Sequence, residues 1–366
     1  MNANTSGQRP AEWEEGARLL SQTARDLPAG RHRFHKEQLM AQIQREQHTE
    51  TAAPAPARTR RFRLPRPAIV LPAIAAALAG TVVAVLAMPG DHGAGAGGDG
   101  LATGPALTTP VGAATTKGVP QLLDRISLAA ADEPHPVVRP GQYIYVESQT
   151  AETFPRTVGD KTTLVSHALH RRQIWTSPDG TKGWLIDPGV NEDPEGETLS
   201  LPDELGNAPK AGLNTPSYDY LAKLTTDPDK LLAKIYEETR GMGNSPDQQA
   251  FTTIGDLLNE SYPPAELYPA LFKAAAKIPG VVVVEDAVDA VGRHGVAVAR
   301  LDEHGGQREE WIFDKKTHVF LGKRTVQVKG NSGEDGVIKP GTVTGTSAVT
   351  YRAIVDGIKR TPSSAD

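Results

Sequence analysis

The stretch that decides the fold is residues 281–328, VVVVEDAVDAVGRHGVAVARLDEHGGQREEWIFDKKTHVFLGKRTVQV. It holds four runs rich in β-branched, alanine and aromatic residues, at 281–285, 295–301, 309–313 and 319–328. Such runs favour β-strands, and the links between them, which contain RHG, HGG and DKKT, are typical of hairpins. Because short links join antiparallel neighbours, the stretch predicts an antiparallel sheet.

The region before this stretch carries the signals of three helices. Two helices are predicted after Asp227-Pro228 and after Ser245-Pro246, where a capping side chain precedes a first-turn proline. A third helix is predicted over 263–277, and the Pro-Gly pair that follows would end it. These signals predict a helical insertion in front of the sheet-forming stretch.

Further candidate elements lie on both sides of the insertion. They are a helix at 119–131 and strands at 142–148, 164–176, 183–186, 341–351 and 352–358. Strands, a helical insertion and strands again predict an α+β domain over 119–366, with a curved antiparallel sheet covered by helices. Residues 89–118 are rich in Gly, Ala, Thr and Pro, which predicts a flexible linker before the domain.

Residues 68–88, AIVLPAIAAALAGTVVAVLAM, contain no charged side chain. At about 1.5 Å per residue, a helix of this length spans roughly 30 Å, the thickness of a hydrocarbon core. The nearest arginines all precede it: Arg58, Arg60, Arg61, Arg63 and Arg66. The positive-inside rule therefore predicts a single-pass transmembrane helix with a cytoplasmic N-terminus and an extracytoplasmic domain. The same arginines would contact the anionic lipid of the bilayer.

Two other interpretations of this apolar segment are open. A helix buried in a protein core can be as apolar, although the one-sided arginines and the Gly-rich exit at 89–100 argue against it. A cleaved export signal is also apolar, and Val85-Leu86-Ala87 resembles a cleavage site. The basic region of such a signal is usually short, however, whereas 67 residues precede this segment.

The first 67 residues form a basic tail. They hold twelve basic and seven acidic residues, a net charge of +5, so that the rest of the chain carries −10 within a total of −5. Two short amphipathic helices are predicted within 11–47, with Leu20, Leu39 and Ile43 on their apolar faces. Helices this short bury little surface alone, so we expect them to fold against a partner. A loosely structured tail that binds nothing is the alternative.

Composition and motifs exclude several kinds of site. The chain has no cysteine, which rules out disulfides, thiol catalysis and iron–sulfur clusters. It contains no GxSxG, GxxxxGK[ST] or HExxH motif. The net charge of −5 gives no indication of nucleic-acid binding. We therefore predict no catalytic residue, no cofactor and no metal site, and a protein that is not an enzyme.

Two pairs of polar residues are candidates for functional groups. His167 and His170 would face opposite sides of one strand, which disfavours joint metal binding and indicates histidines at the surface or the sheet rim. Arg293 and His294 fall in a predicted hairpin turn, which favours a role in the turn over a catalytic one.

The remaining candidates lie on predicted strands. Glu309, Glu310 and Asp314 have the oxygen ligands that bind cations, but solvated charges are the expectation for exposed carboxylates. Three tryptophans are predicted to pack in or against the sheet: Trp175, Trp184 and Trp311.

Six longer strings stand out in the sequence: DLPAGRHRFHKEQLM (26–40), TDPDKLLAKIYEET (226–239), AFTTIGDLL (250–258), IPGVVVVEDAVDAVGRHGVAVAR (278–300), REEWIFD (308–314) and GTVTGTSAV (341–349). As a set they resemble a family of uncharacterised actinobacterial membrane proteins. The resemblance covers nearly the whole chain. Members are often encoded beside extracytoplasmic-function sigma factors, so the resemblance implies a role in signalling or as an anti-sigma factor. It brings no catalytic or ligand-binding residue with it.

These observations lead to two functional hypotheses. The first is a membrane protein for envelope signalling, whose tail binds a sigma factor through 11–47 and whose extracytoplasmic domain senses a condition outside the membrane. The second is a membrane-tethered carrier of lipid or another hydrophobic ligand, with the tail serving only as an anchor. A regulator requires the apolar faces of its tail, whereas a carrier requires an apolar binding surface in its domain.

Overall fold

The computed structural model describes residues 101–133, 137–191, 193–199, 210–330 and 338–362. The strands are β1 Thr103–Pro105, β2 Ala114–Thr115, β3 Tyr143–Val158, β4 Lys161–His167, β5 His170–Thr176, β6 Gly183–Ile186, β7 Glu197–Thr198, β8 Val281–Val288, β9 His294–Asp302, β10 Gln307–Asp314, β11 Phe320–Gln327 and β12 Val343–Val355. The helices are α1 Val119–Asp132, α2 Tyr218–Leu221, α3 Pro228–Glu238, α4 Pro246–Glu260 and α5 Leu267–Ala275.

The strands form one sheet in the order β2-β8-β9-β10-β11-β12-β3-β5-β6-β7. Every pairing between these strands in the described part of the chain is antiparallel. β3 is long enough to pair with β12 and β5 through its first part and with β4 through its last six residues. The prediction of an α+β domain with an antiparallel sheet and a helical insertion is therefore confirmed.

The helices pack on one side of the sheet, which we call the helix-facing side. Phe251 of α4 stacks on Trp311 of β10 with ring centroids 3.8 Å apart, and both side chains are fully buried. Phe272 of α5 meets Phe313 of the same strand edge to face, at 5.8 Å. Alternate residues of a strand face the same side, so Trp311 and Phe313 place this apolar core against β8, β9 and β10.

Side-chain caps fix where two of the helices begin. The side chain of Asp227 accepts hydrogen bonds from the backbone N–H groups of Asp229 and Lys230, and Pro228 opens α3. The side chain of Ser245 accepts from Gln248 N at the start of α4. Both caps satisfy backbone donors that a helix leaves unpaired at its first turn. The two predicted helix starts are confirmed.

The segment from residue 101 to 115 runs along the sheet and is paired with it. β1 pairs with β4, and β2 pairs with β8. Between them, Leu107 O accepts from Val343 N at 2.9 Å and Gly112 O accepts from Arg308 Nη1 at 3.0 Å. The prediction of a flexible linker up to residue 118 is wrong for this part. An extended segment needs only its backbone groups to join a sheet, so its Gly- and Thr-rich composition does not prevent pairing.

Several strand boundaries also differ from the predictions, and the strand predicted at 142–148 is the longer β3, Tyr143–Val158. The single strand predicted at 164–176 is divided into β4 and β5, because Ala168 N bonds to Ala102 O and the His170 ring bonds to Ala168 O. The two strands predicted at 341–351 and 352–358 are one strand, β12, with an irregularity between Val349 and Tyr351.

The membrane prediction lies outside the described residues. None of the helices in the described ranges is both long and apolar enough to cross a bilayer. The segment 68–88, its flanking arginines Arg58, Arg60, Arg61, Arg63 and Arg66, and the tail residues Leu20, Leu39 and Ile43 all precede residue 101. Those assignments stay predictions.

Candidate functional site

The first polar cluster lies at the edge of the helix-facing side and joins β5 to the loop after β6. His170 Nε2 lies 2.9 Å from Asp187 Oδ1, and Arg172 Nε lies 3.0 Å from Asp187 Oδ2. Gly189 N donates to the same carboxylate at 2.9 Å. His170 and Asp187 are both buried. The carboxylate is therefore surrounded by donors, as a buried charge requires.

The partners of His170 fix its protonation. Its Nδ1 lies 2.9 Å from the carbonyl oxygen of Ala168, which can only accept a hydrogen bond, and its Nε2 faces the Asp187 carboxylate. Burial lowers the pKa of His170, but the hydrogen bonds to Asp187 and Ala168 outweigh burial, so the pKa lies above its ordinary value. With both ring nitrogens donating, the imidazolium has no lone pair to act as a general base.

The same contacts act on Asp187. Burial raises the pKa of this carboxyl. The hydrogen bond from His170 and the charge of Arg172 lower the pKa by more than burial raises it, so the net pKa is below the ordinary value. Two cations and one anion thus form a network that links β5 to the loop beginning at Asp187. Such an arrangement holds the loop against the sheet.

We expect the His170→Gln variant to lose a pH dependence of stability that the native chain shows. The pKa of His170 is raised in the folded state. Its contribution to the free energy of unfolding is therefore complete below about pH 6.5 and is lost as pH rises through the folded pKa. Urea unfolding of the full chain at a series of pH values, followed by tryptophan fluorescence, measures this slope.

His167 is the matched control for this experiment. Burial lowers the pKa of His167, so the folded state favours the neutral imidazole. The contribution of His167 to the free energy of unfolding is therefore lost as pH falls through the folded pKa. His167→Gln should therefore change the slope in the opposite direction. Equal slopes for the native chain and His170→Gln would contradict the charged state assigned to His170.

The second polar cluster joins α4 to the sheet. Asp256 forms an ion pair with Lys323 of β11, and Glu309 Oε2 of β10 accepts from Thr252 Oγ1 at 2.7 Å. One helical turn after Asp256, Glu260 Oε1 lies 3.5 Å from Arg172 Nη1. The carboxylates at 256 and 260 share one face of α4 because they are four residues apart. This face of the helix therefore spans from β11 to β5.

The electrostatics of this cluster are dominated by its acids. The net pKa of Asp256 is raised to about 6, because desolvation and the charges of Glu260 and Glu309 together outweigh the charge of Lys323. Burial lowers the pKa of Lys323, but the three carboxylates outweigh burial and the net pKa is raised. Lys323 therefore stays charged over the physiological range and holds acids that would otherwise repel one another.

The structure corrects several interpretations of polar residues. His167 and His170 do not face opposite sides of one strand, because a turn brings their rings to 6.1 Å with edge-to-face geometry. His170 is buried and does not lie at the surface. Among the residues that the structure describes, no group of three or more potential ligands is placed to hold a metal ion.

The expected solvated carboxylates are mostly buried. Glu310 is fully buried and Glu309 nearly so, and as neighbours on a strand they lie on opposite sides of the sheet. Asp314 accepts from Lys316 N and Thr317 N, both at 2.8 Å, and so shapes the turn that follows β10. The three side chains do not converge on one cation.

Other interpretations are confirmed. Arg293 lies in the turn between β8 and β9, as predicted, and its Nε bonds to Asp289 Oδ2 at 2.6 Å, whereas His294 is the first residue of β9 and not part of the turn. Trp175 and Trp311 are buried in the sheet. Trp184 lies under the Lys359 ammonium group, which is 4.6 Å from its ring centroid.

Comparisons with known proteins add little. No family model matches the chain, and no curated protein matches it. A search of solved structures found a chain in the complex of MucA and MucB from Pseudomonas aeruginosa, 13% identical, with a TM-score of 0.23. The match covers 68% of this chain and 59% of that chain. At this TM-score the likeness supports no conclusion about this protein.

Proposed function

We propose that this chain is a single-pass membrane protein for envelope signalling. An extracytoplasmic α+β domain would sense a condition outside the membrane, and the cytoplasmic tail would bind a sigma factor. The observation that carries the proposal is the uncharged segment 68–88, which follows five arginines and precedes a folded domain. Its charge asymmetry matches the orientation rule for membrane helices.

Three further observations support the signalling role. The family that the chain resembles is often encoded beside extracytoplasmic-function sigma factors. The tail also carries apolar residues at helical spacing, including Leu20, Leu39 and Ile43, which an inert anchor does not need. In addition, the chain enters the domain through a paired segment, because residues 103–105 and 114–115 are strands of the sheet. A change in the sheet can therefore act on the connection to the membrane segment.

The carrier hypothesis is supported by a different observation. Close packing fills the space between α4 and β10, where Phe251 lies on Trp311. The apolar side chains nearer to β12 and β3, among them Tyr218, Tyr262 and Ile354, are only partly buried. A hydrophobic ligand would bind there, and a sensor can use such a ligand as its stimulus.

We expect the full chain, extracted from membranes in mild detergent, to co-purify the sigma factor encoded nearest to its gene. Capture should persist in about 1 M salt, where the screening length falls to about 3 Å and attraction to a basic tail alone is lost. Leu20→Asp, Leu39→Asp and Ile43→Asp should each reduce capture, because a charge on an apolar face opposes burial.

Leu19→Asp is the matched control, since residue 19 lies off the predicted face of Leu20. A chain with a scrambled tail sequence controls for basic charge. Capture equal to that of the scrambled chain would sink the sigma-factor role and leave the carrier hypothesis.

A further inference from the structure

A β-bulge turns the side chain of Arg352 toward the helices. In the pairing of β12 with β3, Val349 lies opposite Ser148, but the register then shifts, so that Arg352 lies opposite Val146. Val349 and Val146 belong to one apolar cluster, whereas Tyr351 is 40% exposed. Without the extra residue, alternation would have placed residue 351 on the side of Val349. Bulges of this kind re-aim side chains and are common beside functional sites.

The guanidinium group of Arg352 has only part of the bonding that it requires. Its Nη2 donates to the carbonyl oxygen of Leu258 in the last turn of α4. Its central carbon, Cζ, lies 5.6 Å from the ring centroid of Phe320. Its Nε is buried and has no hydrogen-bond partner. Across the described ranges, none of the ion pairs involves Arg352.

A role as a helix cap explains only one of these contacts. The end of α4 carries partial negative charge, so a cation near Leu258 O is favourable. That role leaves the buried Nε donor without an acceptor, which costs free energy, and it leaves the guanidinium group without an ion pair among the described residues. The unmet donor and the positive charge both suit a bound anionic group.

The surroundings of Arg352 are apolar and partly accessible. We define the tyrosine-rich face as the partly buried side chains around it: Val138, Tyr218, Tyr262, Phe320 and Ile354. Beneath them the buried side chains of Ile144, Val146 and Val349 complete the cluster. Burial raises the pKa of Tyr262, and the charge of Arg352 opposes this, which reflects how close the two groups are. A cation therefore lies among side chains that are mostly apolar, with Glu133 as the nearest acid that acts on Tyr262.

We propose that Arg352 binds the anionic head group of an amphiphile whose apolar part lies on the tyrosine-rich face. A planar guanidinium group with free donors suits the oxygens of a carboxylate or a phosphate. Aromatic and aliphatic side chains suit a hydrocarbon chain, and ligand sites commonly combine such a lining with a single charged anchor. Binding of the amphiphile does not depend on the proposed signalling function. Its role as the stimulus does rest on that function.

The test is equilibrium dialysis of labelled dodecanoate against the full chain in neutral-lipid nanodiscs. Empty nanodiscs give the amount that partitions into lipid. We expect saturable binding of about one dodecanoate per chain above that level. Arg352→Met should weaken binding by roughly 10- to 100-fold, the effect of losing a charge-assisted hydrogen bond. Arg352→Lys should retain part of the affinity, because a point charge remains.

Controls distinguish the contributions of the ligand's head group, of its hydrocarbon tail and of the protein fold. Arg156→Met removes an exposed arginine of β3 and should bind as the native chain does. With the native chain, dodecyl phosphate should compete with dodecanoate, whereas dodecyltrimethylammonium and inorganic phosphate should compete poorly. This comparison decides the question even if Arg352→Met does not fold.

Three outcomes would overturn the proposal. The first is equal binding by the native chain and a folded Arg352→Met variant, and the second is equal competition by the cationic amphiphile. The third is displacement by inorganic phosphate as effective as that by dodecyl phosphate, which would indicate a free oxyanion. No sigma factor enters this experiment, so its failure is distinct from a failure of the proposed signalling function.

Discussion

Replacing Glu310 by glutamine is expected to lower the free energy of unfolding by about 3–5 kcal/mol, the usual cost of breaking a buried ion pair. Glu310 is fully buried on the side of the sheet away from the helices. Its carboxylate accepts from Arg308 Nε at 2.8 Å through one oxygen and from Arg324 Nε at 2.8 Å through the other. Both arginines are also buried.

The size of the effect follows from what glutamine leaves behind. The negative charge that compensates two buried guanidinium groups is lost, and the new amide N–H₂ group faces donors where an acceptor stood. The arginines also hold other elements: Arg308 bonds to Gly112 O at 3.0 Å and Arg324 to Val288 O at 3.1 Å. Loosening them should therefore loosen the N-terminal segment as well.

Urea unfolding of the full chain, followed by tryptophan fluorescence, measures the loss. Glu303→Gln is the matched control, because Glu303 pairs with Lys329 at 2.5 Å on the surface, where such pairs contribute about 0–1 kcal/mol. A loss for Glu310→Gln no larger than that for Glu303→Gln would show that the buried network does not stabilise the fold. Faster hydrogen exchange of residues 107–112 in the variant would show the coupling to the N-terminal segment.

Local signals explain which elements the sequence predicted. The starts of α3 and α4 were predictable because the capping residue, the first-turn proline and the first helical turn are adjacent in sequence. The hairpins of β8 to β11 were predictable because β-rich runs alternate with short polar turns. Each of these signals acts within a few residues, so no long-range pairing had to be known.

The polar clusters depend on pairings across long distances in sequence. Asp256 and Lys323 are 67 residues apart, and Leu258 and Arg352 are 94 apart. Such contacts follow from strand register and from the placement of a helix on a sheet, which local patterns do not specify. One local signal did not enter the predictions: Asp256 and Glu260 are four residues apart, a spacing that places two acids on one helix face.

The bulge in β12 shows the same limit most clearly. Alternation along GTVTGTSAV and the following residues predicts a strand, but the side on which each residue lies changes where the register shifts. Arg352 could therefore not be assigned to the helix-facing side without the pairing partner Val146. Likewise, nothing in the composition of 101–115 indicated that its backbone would find partners in the sheet.

Replacing Gly255 by alanine is expected to destabilise the fold by about 1–3 kcal/mol, the cost of overpacking a well-filled core. At an ordinary position inside a helix, the same change stabilises by roughly 1 kcal/mol. Gly255 lies in α4 directly over Trp311, and an added Cβ would overlap the indole Nε1 and lie 2.6 Å from Glu309 Oε1. Trp311 cannot move aside, because it is fully buried and stacked on Phe251.

A double-mutant cycle with Trp311→Phe tests whether the indole causes this loss. Phenylalanine removes Nε1, which also donates to Glu309 at 3.2 Å, so the single variant should itself be less stable. In the Trp311→Phe background, however, Gly255→Ala should cost clearly less than in the native chain, because the overlapping atom is gone. Urea unfolding of all four chains gives the coupling free energy. A stabilising effect of Gly255→Ala alone would mean that α4 lies farther from β10 than the stacked rings indicate, and equal costs in both backgrounds would place the clash elsewhere.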